Sequence, residues 1–573
     1  MSRALEAEGI TGAVWGTLDE RGNVRTEAAR LAAKGREMRP DDRVQVGSIG
    51  KAVLATGILR LVTEGRVELD TPVTELIPGL ALDNPWAATH PVRLRHLLDH
   101  TAGLNDMRLW QLFSSKARAD TPLARATDIG RPLEVRTRPG SRYSYSNVGY
   151  GLAARVIEQV TGQRYEHYLD THLLAPLGMH NSTFRYVTQV GAAADPRLAM
   201  GHFDNNEAQP AIPLHLRPAG QFTTTSADML RFAAFLMSDG RIDGQPFIAP
   251  ALMRARGRAT GTEAARAGLR VGYALGMTLR DRHGAVGLCH GGDAVGFRAM
   301  LCSYPEHHRA FFVAFNADVE GADYAGLREK LVRALGVASA GVAPVAAVTA
   351  DLDEWTGFYV RAPSRFEGFA WVDTVFGFVR ATREGSGLRL SGLQSKPVSL
   401  VPVGGGLFRE PDRILASHVT AIGDDGARII ASSEQTYARV PVVRLVALWA
   451  SFSIALLGLI YIALIGLARI VRRRPGKTDA LRLPWIALVA LALPPPFLAR
   501  QSFMQIADVT TGSVLLAVVT GMLPIALIAG LVRAAPAAAG KRAWMDSVAL
   551  AALLQGLAVL AAWGLIPLRT WAL

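Results

Sequence analysis

Val46–Val73 reads VGSIGKAVLATGILRLVTEGRVELDTPV. Within it, Ala52–Glu64 repeats apolar residues at helical spacing and stops before Gly65, so it predicts a helix. Ser48-Ile49-Gly50-Lys51 stands just ahead of that helix. Ser48 and Lys51 are three positions apart, and one helical turn brings both to the same face. A serine at a helix N-terminus has an unpaired backbone N–H, and the helix dipole favours negative charge developing there. A lysine one turn on can take the hydroxyl proton if burial lowers its pKa. Read alone, the four residues are a weak signal, and an N-cap serine beside a surface lysine is the better reading.

Working outward, residues 1–335 alternate short β-like runs with amphipathic helices. Gly12–Leu18 and Val24–Thr26, joined by Glu20–Asn23, read as paired strands. Ala153–Val160 and Met229–Met237 read as helices, and Phe311–Phe315 as a buried strand ending at Asn316. Leu288–Cys289 and Phe297–Ser303 flank a Gly-rich turn, as in a hairpin. Helices with an antiparallel sheet indicate the α+β class. Cys289 and Cys302 flank the hairpin; cross-strand neighbours are one reading, and two buried free thiols are the expectation kept here.

Two further clusters carry polar chemistry. Tyr145-Ser146-Asn147 follows the Pro139-Gly140 turn. A phenol presented there shuttles protons if a nearby lysine lowers its pKa, while Asn147 can donate to a substrate carbonyl and accept from Lys51. The plain alternative is a turn capping the next helix. His290-Gly291-Gly292-Asp293 lies between two β-like runs. Its glycines admit a substrate backbone to a strand edge, and the Asp293 N–H offers an oxyanion donor. The alternative is an ordinary hairpin turn with a satisfied histidine.

Taken in order, Ser-x-x-Lys, Tyr-x-Asn and a His followed two places later by Gly resemble the serine β-lactamase and penicillin-binding-protein superfamily. The variant is similar to the class C β-lactamase-related serine hydrolases, a group of esterases, amidases and D-amino-acid peptidases. Besides Val46–Val73, the resemblance rests on RHLLDHTAGL (Arg95–Leu104), PGSRYSYSNVGYGLAARVIEQVTG (Pro139–Gly162), GQFTTTSADMLRF (Gly220–Phe232) and HGGDAVGF (His290–Phe297). It implies acyl transfer through a covalent intermediate. Ser48 would be the nucleophile, with Lys51 and Tyr145 sharing the general-base role through coupled protons. Asn147 would orient Lys51 and the substrate amide. The N–H groups of Ser48 and Asp293, beside Gly292, would form the oxyanion hole. No metal or organic cofactor is implied. His290 stands where β-lactamases carry lysine, and a histidine is a weaker, pH-dependent cation for a substrate carboxylate. That shifts the expectation from an efficient β-lactamase towards an esterase, amidase or D-amino-acid peptidase. Gly50 replaces a Thr or Ser common in the family, and His100 and Thr101 are read as turn and capping residues.

The chain has 573 residues, more than the roughly 100–200 of one domain, so several units are expected. Only 19% of residues are charged and mean hydropathy is +0.19, which excludes a disordered chain and argues against an all-soluble one. Two cysteines give no disulfide framework, and no Cys/His cluster suggests zinc. The net charge of +13 comes with no basic-aromatic stripe, so no nucleic-acid partner is expected.

Beyond the hydrolase-like region, 1–335, a low-complexity linker is expected at 336–350, within Ala334–Ala350. Residues 351–440 hold β-rich fragments (Phe376–Arg380, Leu388–Leu390, Val398–Val403, Ala416–Ile422, Arg428–Ala431), which predict a small β-barrel or sandwich. The region also resembles the small β-domain that often follows this hydrolase fold, and it shows no titratable cluster. Residues 441–573 predict a membrane domain of about four helices: Leu445–Ala468, Leu483–Ala499, Thr510–Val532 and Ser547–Leu568. The second is short and broken by Pro494-Pro495-Pro496, leaving a re-entrant or interfacial segment as the alternative. Arg469, Arg472, Arg473, Arg474, Lys477 and Arg482 follow the first run, and Arg533, Lys541 and Arg542 follow the third. Positive connections favour the cytoplasmic side, which puts the hydrolase domain outside, in the periplasm or beyond the cell. Met1–Gly16 lacks a basic n-region followed by an apolar stretch, so a signal upstream of this sequence, or one already removed, is expected; the opposite topology is the alternative.

The reading is a membrane-anchored serine hydrolase acting on esters or amides of a small molecule or short peptide, D-amino-acid peptides included. A D,D-peptidase or weak β-lactamase is the alternative enzyme. A catalytically inactive membrane-anchored binding or scaffold protein is the alternative of another class. The acyl specificity and oligomeric state are open.

Overall fold

β1 (Gly12–Leu18) and β2 (Val24–Ala33) pair antiparallel around a tight turn. The Asp19 carboxylate closes that turn by accepting from the N–H groups of Arg21 and Asn23. The computed structural model describes residues 1–337, 352–472, 479–534 and 540–573. The expected linker lies outside the described residues from 338 onward. Its first residues, Ala334 and Leu335, end a helix.

Eight antiparallel strands form the main sheet. After β1 and β2 come β3 (Arg36–Glu37), β4 (Gly272–Ala274), β5 (Met277–Arg282), β6 (Ala285–Ala294), β7 (Phe297–Tyr304) and β8 (Arg309–Phe315). Their order in space is β4-β5-β6-β7-β8-β1-β2-β3. The central strands are buried on both faces, which explains the unbroken apolar run Phe311–Phe315. Phe312 and Ala314 join the large core, while Phe311, Val313 and Phe315 join a second core on the opposite face.

Helices cover both faces. α1 (Gly50–Thr63) is apolar all round and buried on nearly every side, as a central helix must be. α2 (Asn147–Thr161) starts where the Ser146 hydroxyl accepts from the Gly149 N–H and ends at Gly162 in the left-handed conformation. α3 (Ser226–Leu236) is capped by Thr225. α4 (Tyr324–Leu335) lies across the second core, with Leu327 and Leu331 buried in it.

Two expectations about the hairpin are corrected. β6 runs straight through His290-Gly291-Gly292-Asp293, and the turn is Val295-Gly296, with Gly296 at φ +72°. Gly292 serves a close backbone contact in the strand. In this register Cys289 faces Cys302, and the two form a disulfide instead of remaining free thiols.

The β-rich region is a closed eight-stranded barrel: β9 (Gly357–Arg361), β10 (Val379–Glu384), β11 (Gly387–Gly392), β12 (Val398–Gly404), β13 (Leu407–Arg409), β14 (His418–Ile422), β15 (Arg428–Ser432) and β16 (Thr436–Val440). β9 pairs with β16 to close it, around Tyr359, Leu388, Leu400, Phe408 and Ile430. The run read as Phe376–Arg380 divides: a short helix, Ala370–Val375, precedes Phe376, and the strand begins at Val379. The barrel is docked on the N-terminal domain by polar contacts. Arg142 pairs with Glu263 at 2.7 Å and with Asp425 of the barrel at 2.9 Å, and the Asp281 carboxylate accepts from the N–H groups of Ile414 and Leu415.

Among the described residues, three helices are long and apolar enough to cross a membrane: α5 (Val442–Val471), α8 (Thr511–Ala534) and α9 (Lys541–Ala562). Between α5 and α8 the triple proline splits the second apolar run into α6 (Arg482–Ala490) and α7 (Pro494–Leu498), each too short to span. Gln555 of α9 bonds the side chain and carbonyl of Ser451 on α5, so its amide is satisfied inside the bundle.

Candidate active site

Ser48 lies in a 3₁₀ turn, Gly47–Ile49, that runs directly into α1. The turn is pressed against β6 so tightly that glycine is needed on both sides. A Cβ on Gly292 would lie 2.0 Å from the Val46 carbonyl oxygen, and one on Gly47 would lie 2.1 Å from that of Asp293. Gly47 also has φ +50°, which a side chain disfavours. Ser48 and Asp293, the expected source of two oxyanion donors, therefore sit on adjoining backbone segments and line the same cavity. Beyond Cys289, β6 pairs only with β7, so its other edge from His290 to Ala294 is open to that cavity among the described residues.

Lys51 is fully buried, the second residue of α1 and one turn on from Ser48. Its Nζ is 2.9 Å from Ser48 Oγ and also donates to the Ala219 carbonyl. Burial lowers the Lys51 pKa to about 7, with the Asp106 carboxylate pulling the other way. A large share of the amine is then neutral near pH 7. The Tyr145 hydroxyl donates to Ser48 Oγ at 2.8 Å. Burial, reinforced by Asp106, raises the Tyr145 pKa above its ordinary value. The lysine does not lower it, contrary to expectation, and the resting phenol is protonated. With Ser48 Oγ accepting from Tyr145, the serine proton is left to a neutral Lys51.

Asn147 begins α2 and lines the cavity, but it does not bond Lys51. Its Nδ2 donates to Asp106 Oδ1 at 2.6 Å, and its backbone N–H donates to the same oxygen at 2.9 Å. A carboxylate only accepts, so Oδ1 of Asn147 remains free to accept a substrate N–H.

His290 is not the expected cation. Burial and the Lys51 charge lower its pKa to about 4, so it is neutral at pH 7. Its Nδ1 is 2.6 Å from the Gly291 carbonyl and its Nε2 is 3.0 Å from the Tyr273 hydroxyl, so both nitrogens are occupied. Arginines line this cavity instead: Arg280, Arg361 and Arg365, of which Arg365, from the barrel domain, reaches the Ser48 cluster. The Nε of Arg365 donates to Asp106 Oδ2 at 2.5 Å, and its guanidinium lies 4.6 Å from the Tyr145 ring centroid.

Asp106 and Arg365 escaped the sequence reading, as did Tyr273. Asp106 follows the quoted HTAGL stretch by two residues, and Arg365 follows Pro363 in a segment without any motif. His100 does lie in a left-handed turn, φ +54°, and its Nδ1 accepts from the Ser146 N–H at 3.0 Å. It also packs against the Tyr145 ring, with centroids 4.2 Å apart. It supports the phenol from one side while Arg365 covers it on another.

The assembled cavity holds a hydroxyl between a buried amine and a phenol, beside an open strand edge. That arrangement suits nucleophilic attack on a carbonyl. Comparison with known proteins gives the same family. The profile described as Beta-lactamase matches residues 1–335. Penicillin-binding protein 4 of Amycolatopsis lactamdurans is 31% identical over 277 residues, 46% of this chain and 70% of that protein. A protein described as putative penicillin-binding protein PbpX, from Bacillus subtilis (strain 168), is 30% identical over 207 residues, 35% of this chain and 47% of that one. Among solved structures, the crystal structure of SurE with D-Leu is similar in fold, with a TM-score of 0.51 at 20% identity over 76% of this chain and 97% of that one. The chain belongs to the beta-lactamase family and is a serine hydrolase.

Proposed function

We infer that this protein is a membrane-anchored hydrolase that forms an acyl-enzyme at Ser48 on esters or amides, D-amino-acid peptides among its candidate substrates. The observation that carries the reading is the placement of Ser48 Oγ, 2.9 Å from an amine lowered to about 7 and 2.8 Å from a protonated phenol. In the first step neutral Lys51 takes the serine proton as Oγ attacks the carbonyl carbon. The N–H groups of Ser48 and Asp293 hold the oxyanion, and Oδ1 of Asn147 accepts from the substrate amide. The proton then passes to the leaving group, with the Tyr145 phenol as the donor nearest to Oγ. Water, deprotonated by Lys51, completes the cycle by cleaving the serine ester.

A D,D-peptidase or weak β-lactamase is a second reading, favoured by relatives named as penicillin-binding proteins and by Arg365, whose guanidinium suits a substrate carboxylate. An outer location for the hydrolase domain is supported by the Cys289–Cys302 disulfide, since such bonds persist in oxidising compartments. It is also supported by the bundle. The domain touches Asp508, ahead of α8, and Leu573, beyond α9, whereas Arg533 is in the last turn of α8 and Arg542 in the first turn of α9.

Labelling with a fluorophosphonate or a fluorescent penicillin tests the acyl-enzyme. Labelling that disappears in Ser48→Ala supports it, and labelling of neither protein favours a catalytically inactive scaffold. Hydrolysis of short p-nitrophenyl esters without hydrolysis of nitrocefin selects the esterase reading over the β-lactamase one.

A further inference from the structure

The cavity above Ser48 has a volume of about 760 Å³ and a mixed lining. Tyr145, Asn147, Asp293 and Arg365 are among its polar residues. It also holds an apolar cluster, with Phe113 and Phe203 from the N-terminal domain and Phe503 and Met504 from the loop between α7 and α8. The Phe503 ring is 5.2 Å from that of Phe113 and 6.2 Å from that of Phe203. The loop is fastened in place: Asp508 accepts from the Ser114 hydroxyl at 2.5 Å and the Ser115 hydroxyl at 2.6 Å, and the Ala507 N–H donates to the Phe113 carbonyl.

Phe503 is nonetheless 55% exposed, and Phe497, Ile506 and Val509 on either side of it are exposed too. α8, a candidate span, begins at Thr511, two residues beyond Val509. Such a cluster is costly in water and at ease at the edge of a bilayer. The apolar part of the cavity lining is thus continuous with the region where the chain enters the hydrocarbon.

We propose that the substrate is a membrane-resident amphiphile, an ester or amide whose carbonyl is placed at Ser48 and whose acyl chain lies along Phe113, Phe203 and Phe503 towards the bilayer. The proposal rests on the acyl-enzyme reading above. The Oγ–C bond forms and the C–O or C–N bond to the leaving group breaks, the serine proton going by way of Lys51 and Tyr145 to that group. Water then splits the serine ester into a fatty acid and free enzyme, and no other reactant is needed.

The test uses the full chain in lipid nanodiscs with p-nitrophenyl acetate, butyrate, hexanoate and octanoate, each below its micelle-forming concentration. kcat/KM is expected to rise with chain length, by up to about fourfold for each buried CH₂. Phe503→Ala should lower octanoate turnover by about fivefold or more and leave acetate within about twofold, and Phe503→Leu should restore most of the loss. A profile flat with chain length, or Phe503→Ala acting equally on acetate and octanoate, overturns the proposal while Ser48-dependent acetate turnover keeps the hydrolase reading. Absence of both Ser48-dependent turnover and fluorophosphonate labelling overturns that reading and the proposal with it.

Discussion

Arg365 of the barrel domain and Asp106 of the hydrolase domain are joined twice. The arginine Nε donates to the carboxylate at 2.5 Å, and the Asp106 N–H donates to the Arg365 carbonyl at 3.2 Å. Asp106 is fully buried and also holds Asn147, so the barrel helps to set the position of a residue beside the nucleophile. Arg365→Ala should leave that carboxylate short of a partner. Because the guanidinium is half exposed, the stability cost is expected at about 1–3 kcal/mol, read as a lower Tm. The acylation rate should fall by about tenfold or more, and Arg365→Lys should recover charge without the fixed geometry of the guanidinium.

The lowered Lys51 pKa gives a sign to the pH dependence. The amine must be neutral to take the serine proton, so acylation should rise with pH through about 7 and level off above it. Stability follows the same direction. The folded pKa is below the unfolded one, so the unfolded chain binds more protons between about 7 and the ordinary lysine value, and stability falls as pH drops through that window. His290, lowered to about 4, should contribute no limb near neutrality. A His290→Gln variant that keeps the limb near 7 assigns it to Lys51; movement of the limb would point to the histidine.

Tyr145→Phe keeps the ring between His100 and Arg365 and removes only the hydroxyl that donates to Ser48. By analogy with the loss of one preorganised donor, acylation should slow by about 10²–10³-fold with Tm nearly unchanged. Stopped-flow labelling beside a melting curve separates this from misfolding.

Gly292→Ala should be destructive despite its single methyl. Its Cβ would lie 2.0 Å from the Val46 carbonyl and 3.0 Å from the Ser48 nitrogen. β6 must then move away from the nucleophile turn, at about 1–3 kcal/mol, and labelling of Ser48 should be lost. Gly65→Ala, in open space but at φ +71°, should destabilise the chain and keep the labelling.

Much of this site was legible because its signals are local. Ser48 and Lys51 are one turn apart, and Tyr145 and Asn147 straddle a helix start, so short spacing reports real proximity. The fold class was legible for the same reason, through strand and helix periodicities. Contacts made across the chain were not. Arg365 lies 259 residues from Asp106 and belongs to a domain whose sequence shows no chemistry of its own. Cross-strand neighbours were one reading of the two cysteines, but free thiols were preferred, since the Gly-rich stretch did not fix the turn. Placing the turn at Val295-Gly296 instead puts Cys289 opposite Cys302 by counting alone. The charge on His290 was misjudged because composition does not show burial, and burial decides it.

The clamp of Asp508 on Ser114 and Ser115 bears on how the protein should be handled. Ending the chain at residue 440 would discard the clamp, along with Phe503 and Met504, and turn a walled chamber into an open shelf. Such a fragment would keep Ser48, Lys51 and Tyr145 but lose part of the lining above them. Selectivity is therefore best measured on the full chain.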